Sequence, residues 1–129
     1  MRSVKQKNTK PEILVRKAIH TMGARFRLNV KCLPGSPDIV LKSRRICIFV
    51  HGCFWHRHAN CRYATTPKSN VSFWRQKFAA NRKRDEKAKK ELKAMGWKVV
   101  TIWGCETRDS EKLGAYLASL LVKSKLELD

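Results

Sequence analysis

Acidic side chains are scarce in this chain of 129 residues: 10 Asp and Glu face 29 Lys and Arg, for a formal net charge of +19. Long apolar runs are also missing, since no stretch approaches the roughly 18 continuous apolar residues of a membrane-spanning helix. No apolar signal-peptide core opens the sequence either. We therefore expect a protein of the reducing cytoplasm with no membrane partner. Its basic surface favours nucleic acid as the partner, because neutralising phosphates releases counterions.

Internal repeats, low-complexity tracts and linkers are absent as well, which predicts a single domain over residues 1–129. The five cysteines are an odd number. In a reducing compartment they indicate metal ligands or free thiols rather than disulfides.

The hydrophobic pattern predicts alternating helices and strands, hence an α/β fold with a mixed central sheet flanked by helices. Phe26, Leu28 and Val30 are expected on one face of the first strand, and Asp109 or Ser110 caps the last helix. The expected elements are a helix over 11–22, a strand over 24–30, hairpin strands over 38–42 and 45–51 around Ser43 and Arg44, a long helix ending near Gly96, a strand over 97–103 and a C-terminal helix.

The predicted hairpin brings Asp38, which opens its first strand, close to His51, which closes its second. For any short turn, Asp38 lies opposite Phe49, Val50 or His51, and opposed residues have Cβ atoms roughly 4.5–5.5 Å apart. A lone Asp at this position more often caps a turn. The histidine-rich loop that follows favours a functional site at the open end of the hairpin.

The long helix carries an apolar stripe that two polar residues, Asn81 and Asp85, interrupt. An inward carboxylate needs a histidine, a metal or backbone donors as partners. The alternative is that Asp85 pairs with a surface arginine, and the pattern leaves both open. The stripe consists of Trp74, Phe78, Asn81, Asp85, Ala88, Leu92 and Met95.

The segment "HGCFWHRHANC", residues 51–61, contains a ligand-like C-x4-H-x2-C spacing at Cys53, His58 and Cys61. Zinc prefers four tetrahedral N or S ligands, and Cys105, just after a strand, is the natural fourth. Such a closed set indicates a structural site. His56 in place of His58 stays open on spacing alone. Either choice leaves His51 and a second histidine as catalytic candidates, since imidazole exchanges protons near pH 7.

Two adjacent aromatic residues, Phe54 and Trp55, lie inside this segment. Core packing is the ordinary explanation for such a pair. In a basic protein they also suit a wedge that separates stacked base pairs, and Trp74 at the head of the long helix is placed to join them.

In these motifs the sequence resembles the very-short-patch-repair (Vsr) DNA mismatch endonucleases. The resemblance runs through "MRSVKQKNTKPE", "GSPDIV", "IFVHGCFWHRHANCRYATTP", "FWRQKF" and "GWKVVTIWGCE", nearly the whole chain except its last helix. It implies a restriction-endonuclease-like fold with a structural zinc site and Mg²⁺-dependent hydrolysis that nicks DNA 5′ of the thymine in a T/G mismatch, the product of 5-methylcytosine deamination. Two rival functions are a different nuclease of this fold acting on paired DNA and a non-catalytic zinc DNA-binding module.

The resemblance also assigns residues. It implies that Asp38 holds Mg²⁺ with the carbonyl of Val50, and that His51 and His56 are active-site imidazoles, with His56 the better candidate for proton transfer. Glu12 would be an additional acid, which competes with a "TKPE" capping box from Thr9 to Glu12. Asp85 would support a histidine. The zinc ligands would be Cys53, His58, Cys61 and Cys105, and the aromatic wedge Phe54, Trp55 and Trp74.

As partners the resemblance implies mismatched double-stranded DNA, mismatch-repair proteins and a cytosine-5 methyltransferase system, for a monomer associated with the bacterial nucleoid. The sequence departs from the family pattern at Val50, where threonine also occurs, and the second acid of the wider PD…(D/E)xK nuclease pattern is replaced by "FVH". Members commonly carry a segment before "MRS" that helps to bind DNA, so we expect reduced DNA affinity or specificity here.

Overall fold

The computed structural model describes residues 9–53, 56, 58, 61, 62, 64, 65 and 67–128, with side chains described up to residue 122. All the elements expected from the sequence occur within this part of the chain. They are α1 (Lys10–Thr21), β1 (Arg27–Leu28), β2 (Ile39–Leu41), β3 (Ile46–His51), α2 (Val71–Ala94), β4 (Lys98–Trp103) and α3 (Ser110–Leu128), with 3-10 turns at Lys42–Arg44 and Gly104–Arg108. None of the described helices is both long enough and apolar enough to cross a bilayer.

The four strands form one mixed sheet, as expected. Their order is β1-β2-β3-β4. The pairs β1–β2 and β2–β3 are antiparallel, and β3–β4 is parallel with His51 opposite Trp103. The hairpin turn falls where it was predicted and ends at Arg45, whose φ of 55° is left-handed. Because parallel strands end at the same edge, the chain leaves β3 and β4 side by side.

Helices cover both faces of the sheet. Val15 and Ile19 of α1 and Leu117 of α3 pack against one face, while α2 covers the other through Ala88 and Leu92. All six residues of β3 are buried, because the strand lies between these two layers. Side chains alternate along a strand, so His51 shares the α2 face with Cys47 and Phe49.

The stripe on α2 faces the sheet as predicted, with one exception. Phe78, Ala88 and Leu92 are buried, and Asn81 and Asp85 are half-buried. The prediction is wrong for Met95, which is 48% exposed. The helix ends at Ala94, so the helical spacing no longer applies to its C-cap residue.

The first strand is shorter than expected, and its side chains do not share one face. Phe26 packs against the α1 and α3 side, Val30 against the α2 side, and Leu28 is 41% exposed. Asn29 has a φ of 47°, and this left-handed residue breaks the strand alternation.

Two predicted helix caps are present. Oγ1 of Thr9 accepts a hydrogen bond from the N–H of Glu12 at 3.4 Å. Oδ1 of Asp109 accepts from the N–H groups of Glu111 and Lys112, each at 3.1 Å. Both side chains satisfy donors that the first helical turn leaves without intrahelical partners.

The loop before β2 lies close against α2. Gly35 has a φ of 74°, and a Cβ built there would lie 2.6 Å from Cβ of Ala88 and 3.2 Å from the ring of Phe49. Only glycine allows both this conformation and this approach. The contact fixes the loop directly before Asp38, one of the predicted site residues.

Candidate functional site

Asp38 lies at the open end of the hairpin, as expected. Its Oδ2 accepts a hydrogen bond from the backbone N–H of Val50 at 2.7 Å. Burial raises the pKa of Asp38 to about 6; the Val50 N–H opposes that shift, and the negative charge of Glu12 adds to it. Asp38 is therefore a carboxylate whose charge the surrounding protein only partly stabilises.

Glu12 is the second acid at this place, in the first turn of α1, and is only 2% exposed. Its Oε2 accepts a hydrogen bond from Arg16 at 3.0 Å. The structure shows one half of the predicted capping box, the bond from the N–H of Glu12 to Thr9, while the carboxylate of Glu12 accepts from Arg16. The carboxylates of buried Glu12 and half-buried Asp38 lie close enough to influence each other electrostatically.

His51, His56 and Asp85 form a compact group on the α2 side of the sheet. Oδ2 of Asp85 is 2.7 Å from Nδ1 of His56, and Oδ1 of Asp85 is 4.0 Å from Nε2 of His51. The two imidazole rings stack with centroids 3.8 Å apart and planes 6° apart. Of the partners considered for Asp85, the structure shows a histidine, His56.

The two histidines differ in their fitness for proton transfer. Burial, and next the charge of His56, lower the pKa of His51 to about 4, so it is neutral at pH 7. Burial alone would raise the pKa of Asp85, but the hydrogen bond with His56 and the charges of both histidines outweigh it, and the pKa is lowered. An ionised Asp85 requires a proton on Nδ1 of His56, which leaves Nε2 of that ring to accept another.

The ligand atoms of His51, His56 and Asp85 lie within 4.8 Å of one another, which raises the question of a metal there. Imidazole nitrogens bind metals through lone pairs in the ring plane. Because the two rings are stacked and nearly parallel, these lone pairs do not converge on one ion. The group suits a hydrogen-bonded pair with a second ring stacked on it.

A second group consists of Cys53, His58, Cys61 and Cys105, whose ligand atoms all lie within 4.8 Å of one another. Sγ of Cys105 is 3.4 Å from Nδ1 of His58. In a tetrahedral site with Zn–S of about 2.3 Å and Zn–N of about 2.05 Å, these atoms would be about 3.6 Å apart. His58, and not His56, is thus the histidine that the geometry brings to the cysteines.

The surroundings of these sulfur atoms also suit a metal. The N–H of Cys105 donates to Sγ of Cys53 at 3.4 Å, which favours a thiolate there. Burial, and then the neighbouring Cys53 thiol, raise the pKa of Cys105 to about 12, and burial raises that of Cys53. A cation is therefore needed to hold these sulfurs as thiolates near neutral pH.

The strand register explains how the two groups are separated. His51 is opposite Trp103, so Cys53 and Cys105 each lie two residues beyond this pair, at the same edge of the sheet. The N–H of His56 then bonds to the carbonyl of Gly52 at 3.1 Å, and that of His58 to the carbonyl of Cys53 at 3.0 Å. These two turns direct His56 to Asp85 and His58 to the cysteines.

The predicted wedge is described only in part, since Phe54 and Trp55 lie outside the described residues. Trp74 is half-buried in the first turn of α2 and stacks on Phe78 with centroids 5.7 Å apart. Its neighbour Phe73 is 55% exposed and meets Trp74 edge to face. Sequence reasoning missed Phe73, although the "FW" pair at the head of a basic helix is a usable signal.

Trp103 was also missed as a site residue. Its indole stacks on His58 with centroids 4.2 Å apart and meets His51 edge to face at 5.4 Å. It thus touches one histidine from each group. The available signal was its spacing, two residues before the ligand candidate Cys105.

Comparisons with known proteins identify the family of the chain. The model of the family "DNA mismatch endonuclease Vsr" matches residues 1–62. The type II nicking enzyme V.XorIIP of Xanthomonas oryzae pv. oryzae is 50% identical over 121 residues, 94% of this chain and 88% of the relative. The DNA mismatch endonuclease Vsr of Escherichia coli K12 is 36% identical over 113 residues, 88% of this chain and 72% of the relative.

The chain belongs to the Vsr endonuclease family. It is therefore a DNA endonuclease, as the sequence indicated. The fold is confirmed by the catalytic domain of the homing endonuclease I-Bth0305I, with a TM-score of 0.61 over 91% of this chain and 98% of that one, at 20% identity. Vsr-family membership and the restriction-endonuclease-like fold thus rest on separate comparisons.

The cysteine group makes a first prediction. Cys53→Ser and Cys105→Ser each remove a ligand, so each variant should lose most of its metal on dialysis, whereas wild type retains about one zinc ion per chain. The matched controls are Cys32→Ser and Cys47→Ala, which change the exposed and the buried cysteine outside the group. The measurement is metal content by mass spectrometry. Wild-type zinc content in Cys105→Ser would rule the group out as the site.

A second prediction concerns Asp38→Asn, which retains an acceptor for the Val50 N–H and removes the charge. The pKa of Asp38 rises from 3.8 to about 6 on folding, so the native state binds the proton more tightly and wild-type stability falls as pH rises from about 4 to about 6. Without added Mg²⁺, we expect the variant to be more stable than wild type at pH 8, by on the order of 1–3 kcal/mol, and equal to it below pH 4.

Urea unfolding of both proteins at pH 4, 5, 6 and 8 measures this difference. A variant less stable than wild type at pH 8, or a difference independent of pH, would show that burial does not penalise the charge of Asp38.

Proposed function

We propose that this endonuclease nicks one strand of duplex DNA on the 5′ side of the thymine in a T/G mismatch, by Mg²⁺-dependent hydrolysis. The observation that carries the proposal is the meeting of one buried and one half-buried carboxylate with a histidine that a third carboxylate holds. Asp38 and Glu12 are the two acids, and His56 with Asp85 is the held histidine.

The donor set around Asp38 suits Mg²⁺, which prefers oxygen ligands. Asp38 and the carbonyl of Val50 would hold the ion, with Glu12 as the additional acid. The raised pKa of Asp38 supports this assignment, because a buried carboxylate beside a second one gains most from a cation. When bound, Mg²⁺ stabilises the charge on the phosphoryl and departing 3′ oxygens.

His56 would transfer the proton. Asp85 holds its Nδ1 at 2.7 Å, which fixes the ring and its tautomer, and Nε2 is then available to take a proton from the attacking water. His51 is the weaker candidate, because a pKa of about 4 makes it a weak base and burial limits its access to water. We assign His51 to support the His56 ring by stacking.

The cysteine group would hold a structural Zn²⁺. Its four protein ligands fill a tetrahedral site and leave no position for a reacting water. The ion would fix the segment after β3, which has little regular structure among its described residues. Zinc would thereby preserve the separation of His56 from His58.

Charge and aromatic side chains would provide the contact with DNA. Exposed basic side chains line α2 and suit phosphate binding. They are Arg75, Lys77, Arg82, Lys83, Arg84, Lys87, Lys90 and Lys93. Trp74, together with Phe54 and Trp55, would enter the base stack, and a mismatched pair costs less to unstack than a matched one.

Nicking of fully paired DNA is a second candidate function. V.XorIIP and V.NmeAIP are both named type II nicking enzymes, and the latter is 44% identical to this chain over 109 residues. The two candidates share the active site and differ only in whether a mismatch is needed.

The test is a strand-resolved nicking assay on two duplexes of the same sequence, one with a T/G mismatch and one fully paired, with and without Mg²⁺. We expect a Mg²⁺-dependent nick directly 5′ of the mismatched thymine, and a rate at least about 100-fold lower for Asp38→Asn, which loses the charge that would hold the ion. Asp109→Asn is the matched control, because asparagine also caps a helix and the residue is the α3 cap.

Equal cleavage of both duplexes would favour the second candidate. Tight DNA binding with no cleavage in either would favour a non-catalytic zinc module. Wild-type nicking by Asp38→Asn would remove Asp38 from the proposed metal site.

A further inference from the structure

Six side chains form a continuous series from Cys105 of the cysteine group to Asp85 of α2. Nδ1 of His58 lies 3.4 Å from Sγ of Cys105, and the His58 ring stacks on the indole of Trp103 at 4.2 Å and 9°. That indole meets the ring of His51 edge to face, at 5.4 Å and 76°.

The series continues into the proposed active site. The ring of His51 stacks on that of His56 at 3.8 Å, and Nδ1 of His56 is 2.7 Å from Oδ2 of Asp85. Trp103 is therefore the one member of the series that contacts a histidine of each group through its ring.

We propose that Trp103 is a positioning residue: its indole sets the His51–His56 stack from the fixed position of His58. Its importance for catalysis rests on the proposed function, whereas its effect on the ring positions does not. The indole of Trp103 lies between His51 and His58 and contacts both rings, and a planar indole with few rotatable bonds is a rigid spacer.

The backbone explains why this spacer is well placed. Trp103 is the last residue of β4 and pairs with His51, and its N–H donates to Oε1 of Glu106 at 2.8 Å. The main chain is thus fixed on both sides of the side chain. The stacked face and the perpendicular edge of one indole then fix two imidazoles at once.

The alternative is that Trp103 only fills space. It is half-buried and stands at the edge of the sheet, whereas the two buried clusters that make up the core contain other residues. A filling residue would affect stability alone. A positioning residue would also alter the geometry of His56, one ring further along the series.

The experiment compares Trp103→Leu, which removes the planar ring, with Trp103→Phe, which keeps one. Trp97→Leu is the matched control, because Trp97 immediately precedes β4 at its other end, where it packs on the α2-side cluster and under Arg45. Each zinc-loaded protein is examined for metal content, for histidine ring signals by long-range ¹H–¹⁵N NMR, and for single-turnover nicking at saturating DNA. Only four histidines are present, so their ring signals can be assigned.

For Trp103→Leu we expect wild-type zinc content, faster solvent exchange of the Nδ1 proton of His56, and a single-turnover rate lowered on the order of 10- to 100-fold, as small misplacements of catalytic groups produce. DNA affinity should change less than about threefold, because the side chain does not act through binding. Trp103→Phe should restore most of the rate, and Trp97→Leu should leave every reading near wild type.

Wild-type His56 signals in Trp103→Leu would overturn the proposal, and so would loss of zinc, which would make Trp103 a support of the cysteine group only. If wild-type protein nicks neither duplex, the proposed function fails. The exchange of the His56 proton still decides whether Trp103 positions the ring.

Discussion

The parallel pairing of β3 with β4 is the constraint on which the rest of the site depends. It sets His51 opposite Trp103, and every neighbouring assignment follows by counting from that pair. Two residues further along both strands come Cys53 and Cys105, which are brought together at the same edge of the sheet. A shift of one residue in this register would turn His51 away from α2 and separate the two cysteines.

Buried charge is the second determinant of the site. The protein as a whole is strongly basic, yet its proposed active site brings together three acids, the buried Glu12 and the half-buried Asp38 and Asp85. Asp85 is compensated by His56, and Glu12 by Arg16. Asp38 accepts a hydrogen bond from the neutral N–H of Val50 and has a pKa of about 6, so it is the acid with most to gain from a cation. These electrostatics support the proposal that Asp38 binds the metal ion and that Asp85 orients His56.

Much of this arrangement could be read from the sequence. The apolar run that ends in His51, and the position of Asp38 after proline, were enough to place both at the open end of a hairpin. The interrupted stripe on α2 offered an inward Asp85 as one of two alternatives, and the structure shows Asp85 bonded to His56. These inferences succeed because strand and helix periodicity fix the direction of a side chain.

Other features depended on geometry that no periodicity contains. The spacing did not show whether His56 or His58 joins the cysteines, because the positions of the two rings depend on two backbone turns after Gly52 and Cys53. The position of Trp103 between two imidazoles depends on the strand register, which is a long-range property. The length of the first strand was predicted wrongly because Asn29 adopts a left-handed conformation, which the neighbouring sequence does not indicate.

The central claim is that one short segment contains two histidines with separate functions, divided by the β3–β4 register. The most direct test is the zinc content of His56→Ala and His58→Ala after dialysis. The account predicts that His56→Ala retains about one zinc ion per chain and that His58→Ala loses most of it. Zinc loss from His56→Ala with zinc retained in His58→Ala would contradict the account, because the ligand and the active-site imidazole would then be exchanged.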